Sequence, residues 1–165
     1  MRKPKVYQTE MWQQATFTHR VGIVSERKDV YFPENKMTQS TDIYRYIVSS
    51  GIYDEETALY EESFKILAFN RANRIVGTTT ISIGSVVGTV VCIRKIMQFA
   101  LLLNASNIVI SHNHPSGEMR PSQNDINITK KIKDGCQLMD IQLLDHIILS
   151  GDLKKFYSFS DEGMI

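Results

Sequence analysis

A short apolar run, Ile108-Val109-Ile110, feeds straight into Ser111-His112-Asn113-His114-Pro115-Ser116-Gly117, with Pro121-Ser122-Gln123-Asn124-Asp125 close behind. No other stretch restricts the possible folds as much. Side chains alternate sides along a strand, so imidazoles at i and i+2 share one face and can reach one cation together. Asp125 follows at short range. Two imidazole nitrogens and one carboxylate oxygen make a three-donor set of the kind that leaves a fourth tetrahedral position on zinc open to water. The pattern therefore points to a catalytic centre and away from a closed structural one. It also requires a fold that brings a strand end and the start of a following helix to one point, as α/β sheets do.

The rest of the chain supplies such a fold. Residues 64–69 and 75–83 are rich in strand formers and flank the polar stretch 70–74, which predicts an antiparallel pair. Cys92, Ile93, Ile96, Met97, Ala100 and Leu101 recur at helical spacing and predict a helix over 89–103. Residues 108–110 read as a strand delivering the histidines just past its end, 122–138 as a second long helix, and 142–149 as a further strand. Upstream, Ser40 or Thr41 can cap a short helix that Gly51 ends. Residues 1–20 form an irregular arm anchored at most by Trp12 and Phe17, and residues 21–31 suggest a strand or hairpin. The expected architecture is an α/β domain over 21–165, a mixed sheet sandwiched by helices.

With 165 residues, of which 42% are hydrophobic, the chain can bury one core and is short for two ordinary domains. A formal net charge of +1 gives no long-range field to gather nucleic acid or an anionic membrane, so small basic groups such as Lys130, Lys131 and Lys133 read as solvated faces. Polar residues follow the charged start, against a secretory leader, and no apolar run approaches the length of a membrane span. Cys92 and Cys136 have no paired spacing. They fit a reducing, cytoplasmic setting, with Cys92 expected in the core of the first long helix and Cys136 packing the end of the second.

At the histidine cluster the chain resembles the JAB/MPN (JAMM) metalloprotease-like superfamily, and within it the bacterial RadC-like family. His112-x-His114-Pro115 precedes Ser122 and Asp125, with ten residues separating His114 from Asp125. Ser116-Gly117, Pro121-Ser122, Ser82-Ile83-Gly84 and Leu143-Leu144-Asp145-His146-Ile147-Ile148 carry the closer likeness to RadC-like proteins. The resemblance spans about residues 38–165. It implies a cytidine deaminase-like mixed sheet sandwiched by helices, and a zinc-dependent metallohydrolase that cleaves amide or isopeptide bonds in a peptide or protein substrate. A DNA repair-associated accessory, a nucleic-acid-binding module of the RadC type, is the alternative. Full-length RadC-like proteins carry an N-terminal helix-hairpin-helix-type region, for which this sequence has no room, so the DNA reading is weakened.

The family pattern assigns Zn2+ to His112, His114 and Asp125, and places its acid/base Glu two residues ahead of a Phe. That points to Glu62 before Phe64, with Glu61, one residue away and on the opposite side of a strand, as the alternative. Ser122-x-x-Asp125 also reads as a helix N-terminal capping box, compatible with a ligand role for Asp125. Ser122 then either caps or turns its hydroxyl toward the oxyanion, as the resemblance implies. Pro115 restricts His114 to extended geometry, and Gly117 permits a turn. His146 reads as a structural residue on a strand, held by a neighbour such as Asp145. A zinc deaminase is disfavoured, since that class needs His-x-Glu and Pro-Cys-x-x-Cys.

Overall fold

In the computed structural model, the described residues are 36–84 and 91–165. The expectations for the arm 1–20, for residues 21–31, and for Thr89 and Val90 fall outside them. The described elements are α1 (Ser40–Ser49), α2 (Glu55–Ala58), β1 (Ser63–Phe69), β2 (Ile75–Ile83), α3 (Ile93–Leu102), β3 (Asn107–His114), α4 (Gln123–Leu138), β4 (Gln142–Ser150) and β5 (Phe156–Ser158).

The strands form one five-stranded mixed sheet in the order β2-β1-β3-β4-β5. β1 and β2 pair antiparallel across the polar turn, β1 pairs antiparallel with β3, and β3 runs parallel to β4. A parallel pair needs a crossover, and α4 supplies it. Ile108, Val109 and Ile110 are all fully buried. A continuous apolar run suits this central strand because both faces of the sheet are covered. On one face Ile66, Ile108 and Ile110 pack with Ile96 and Ala100 of α3 and Ile132 and Cys136 of α4. On the other, Tyr53 donates to the Ser111 hydroxyl, and Tyr44 of α1 donates to the Leu153 carbonyl and stacks on Phe156.

Several boundaries differ from expectation. α1 starts with a capping box between Gln39 and Asp42, so Ser40 and Thr41 are its first helical residues and not its cap. Gly51 does follow its end, at φ +65°, the left-handed conformation that glycine adopts without a Cβ penalty. α3 starts at Ile93, leaving Val91 and Cys92 non-helical; Cys92 sits exposed at the N-cap and is not a core residue, whereas Cys136 is buried. β3 extends through His114, so the histidines lie on the strand and not beyond it.

Gly151, just past β4, lets the turn after His114 approach the end of the strand closely. A Cβ there would meet the Pro115 carbonyl oxygen at 2.9 Å, Pro115 Cα at 3.1 Å and the Ala58 carbonyl oxygen at 3.2 Å, all backbone atoms. Gly151→Ala must push the turn after His114 away from β4, and overpacking of this kind costs about 1–3 kcal/mol. Urea unfolding of the variant should show the midpoint falling accordingly; an unchanged midpoint would mean the loop yields freely.

Candidate metal centre

The β1–β3 register sets the site. Phe64 lies opposite His112 and their rings stack with centroids 5.9 Å apart. Pro115 then leaves the strand, and a turn closed by Gly117 N–H donating to the His114 carbonyl at 2.9 Å, with Gly117 at φ +74°, sends the chain toward α4. The capping box of α4 fixes the third side chain. Ser122 donates to Asp125 Oδ2 through its backbone N–H at 2.7 Å and through its hydroxyl at 2.6 Å, while Asp125 N–H donates back to Ser122 Oγ at 3.1 Å. In this structure the Ser122 hydroxyl is thus engaged as the cap.

The three side chains converge. His112 Nε2 lies 2.8 Å from His114 Nε2 and 3.3 Å from Asp125 Oδ1, and His114 Nε2 lies 3.6 Å from Asp125 Oδ2. One donor atom from each falls within 4.8 Å of the others, a group that could hold a metal ion. The other ring nitrogens are occupied elsewhere: His114 Nδ1 by the Glu118 carbonyl at 2.6 Å, His112 Nδ1 by His146 Nε2 at 2.8 Å. Two nitrogens and a carboxylate oxygen presented together in this way fit zinc, whose ligating histidines usually donate their second N–H to an outer acceptor.

Burial shapes the titration of each group. It pushes fully buried His112 down to about 4. The Asp125 carboxylate, 3.6 Å away, raises His114 against its own partial burial. Burial opposes ionisation of Asp125, but hydrogen bonds from His114 and Ser122 and the charge of His112 outweigh it and hold the carboxyl well below the usual range.

Glu61 and Glu62 lie just ahead of β1. Continuing the register that sets Phe64 opposite His112 puts residue 62 opposite His114, on the ligand face. Half-buried Glu62 exerts its negative charge on His114, raising it. Glu61 is exposed. Asn113, which the sequence reading did not single out, points to the opposite face and fastens this segment: its Oδ1 accepts from Ser63 N–H at 2.9 Å, and its Nδ2 donates to the Ala58 and Glu61 carbonyls, each at 2.8 Å.

His146 lies on β4, as expected. Its fully buried ring lies behind His112, with Nδ1 2.6 Å from Thr129 Oγ1. Asp145 does hold His146, as expected, but at the backbone and not at the ring, because adjacent strand residues face opposite sides. Its carboxylate accepts from the His146 backbone N–H at 2.7 Å, the Ser158 hydroxyl at 2.6 Å and Ser160 N–H at 3.0 Å, tying β5 to β4.

Fold and site together define a mixed-sheet α/β domain whose central strand and following helix present a His-x-His and Asp group able to bind a metal. Residues 37–164 match the family model described as the RadC-like JAB domain, and the chain belongs to that family. It is similar to a UPF0758 protein of Flavobacterium johnsoniae, 38% identical over 78% of this chain and 53% of the relative. UPF0758 protein YfjY of Escherichia coli is 37% identical over 65% of this chain and 66% of its own length. A UPF0758 protein of Methanococcoides burtonii is 33% identical over 81% of this chain and 55% of the relative. The chain thus spans about half the length of most of these relatives. Among the described residues, no helix is long and apolar enough to cross a membrane.

Proposed function

We propose that this domain is a zinc-dependent metallohydrolase that cleaves an amide or isopeptide bond in a peptide or protein substrate. The observation that carries the reading is the convergence of His112 Nε2, His114 Nε2 and the Asp125 carboxylate, with the charge of Glu62 acting on the same cluster. Zinc held there would supply Lewis acidity and make hydroxide available near neutral pH. The Glu62 carboxylate takes the proton of the attacking water and returns it to the leaving nitrogen. Ser122 positions Asp125 through the capping box, and its hydroxyl is the group we assign to the developing oxyanion, a role it takes only by turning its one proton away from Asp125 Oδ2.

Beside the Asp125 edge, Met119, Arg120, Pro121, Ile126, Tyr157 and Met164 line an open recess of about 350 Å³. Its mostly apolar walls suit a substrate side chain. The free thiols of Cys92 and Cys136 are consistent with a reducing, cytoplasmic setting. The alternative, a nucleic-acid accessory, draws no support from a net charge of +1.

The test is metal content followed by cleavage. Protein purified without added metal should carry about one zinc per chain by mass spectrometry. Cleavage of a peptide panel should stop with chelator and return with zinc. Failure to take up zinc even in excess would overturn the reading.

A further inference from the structure

The polar contacts behind the cluster have only one consistent direction. The Asp125 backbone carbonyl can only accept, so Thr129 Oγ1, 2.6 Å away, must donate its single proton there. Thr129 then has only lone pairs to offer His146 Nδ1 at 2.6 Å, and that nitrogen must be the donor. In the neutral imidazole His146 Nε2 is left as an acceptor, so His112 Nδ1, 2.8 Å away, carries the proton. His112 Nε2, facing His114 and Asp125, is therefore left with its lone pair.

We propose that Thr129 and His146 are positioning residues, a one-way relay that begins at a main-chain carbonyl of α4 and holds His112 in the tautomer whose Nε2 binds the cation. The proposal rests on the zinc-site reading above and adds to it the source of the ligand's orientation. The relay starts and ends within the ligand set, since the carbonyl that sets its direction belongs to Asp125 itself. A displacement of the α4 N-terminus would therefore disturb one ligand directly and another through two side chains. Thr129, His146 and His112 are all buried, so water does not offer the rings an easy substitute partner. Phe159 stacks on the His146 ring at 4.6 Å between centroids and further restricts its rotation.

Thr129→Val and Thr129→Ser separate the relay from packing. Valine keeps the shape and removes the hydroxyl; serine keeps the hydroxyl and removes the methyl. Competition against a chromogenic chelator should show zinc affinity falling about 10–100-fold in Thr129→Val and staying within about threefold of the parent in Thr129→Ser. The reverse order, or full affinity in Thr129→Val, would overturn the relay.

Nitrogen-15 NMR of the metal-free parent protein gives a second, independent reading. Both His112 and His146 should carry their proton on Nδ1. His112 protonated on Nε2 alone would overturn the proposal whatever the affinities. If the parent protein took up no zinc, the hydrolase reading would fall by itself, and the ring tautomers would still decide the relay.

Discussion

Glu62→Gln is expected to lower hydrolysis by about 10²–10⁴-fold while zinc remains bound, the range that loss of a positioned general acid/base produces. The amide matches the carboxylate in size but cannot accept and return a proton. Glu62 lies outside the three-residue ligand group, so metal content should be unaffected. Glu61→Gln serves as the control from the neighbouring position. Glu61 is exposed and, by strand alternation, on the side away from His114, so its variant should cleave at the parent rate. Single-turnover cleavage, with zinc measured on the same samples, checks both. Retained activity in Glu62→Gln would remove Glu62 from the mechanism, and a loss confined to Glu61→Gln would transfer the role to it.

The convergence of His112, His114 and Asp125 was legible in the sequence because its signal is local. Alternation alone puts His112 and His114 on one face, and the Ser122-x-x-Asp125 spacing announces both a helix start and the third side chain, as the structure has it. The β1–β2 pair, α4 and β4 were legible for the same reason, through period and turn chemistry. What was lost depends on contacts between distant segments. The ring partner of His146 is Thr129, 17 residues earlier on a different element, and nothing in Leu144-Asp145-His146-Ile147 hints at it. β5 has three residues and exists because Asp145 binds Ser158 and Ser160, a tertiary cause. Cys92 satisfies helical spacing with Ile96, yet the helix starts one residue after it, so periodicity overran the true boundary. The capping box of α1 uses Gln39 and Asp42, and the two hydroxyl residues between them drew attention to the wrong position.

Acid should destabilise the metal-free protein through its buried imidazoles. His112 is pushed down to about 4 by burial, against about 6.5 in the unfolded chain. Between those values the unfolded state binds a proton that the native state refuses, so stability falls as pH falls, by about 3 kcal/mol over the whole window. His146 is depressed further by burial and by the neighbouring His112, and adds in the same direction. His114 works the other way. Raised by the Asp125 carboxylate beside it, it contributes stability that is fully present below about 6.5 and is lost as pH rises through its folded value. Its contribution therefore changes only above about 6.5 and leaves the decline below that value untouched, whereas the Asp145 carboxyl, raised by burial, opposes the decline at its acid end. Asp125, held low, contributes stability present above about 3.9 and lost only as pH falls through its folded value, so its loss comes later in the acid range. Urea midpoints in chelator at pH 6.5, 5.5 and 4.5 should therefore decline. A flat profile from 6.5 to 4.5 would show that the native cluster accepts protons as readily as the unfolded chain does. If the cluster holds zinc as proposed, saturating zinc should raise every midpoint, and most at neutral pH where protons compete least for the imidazole nitrogens.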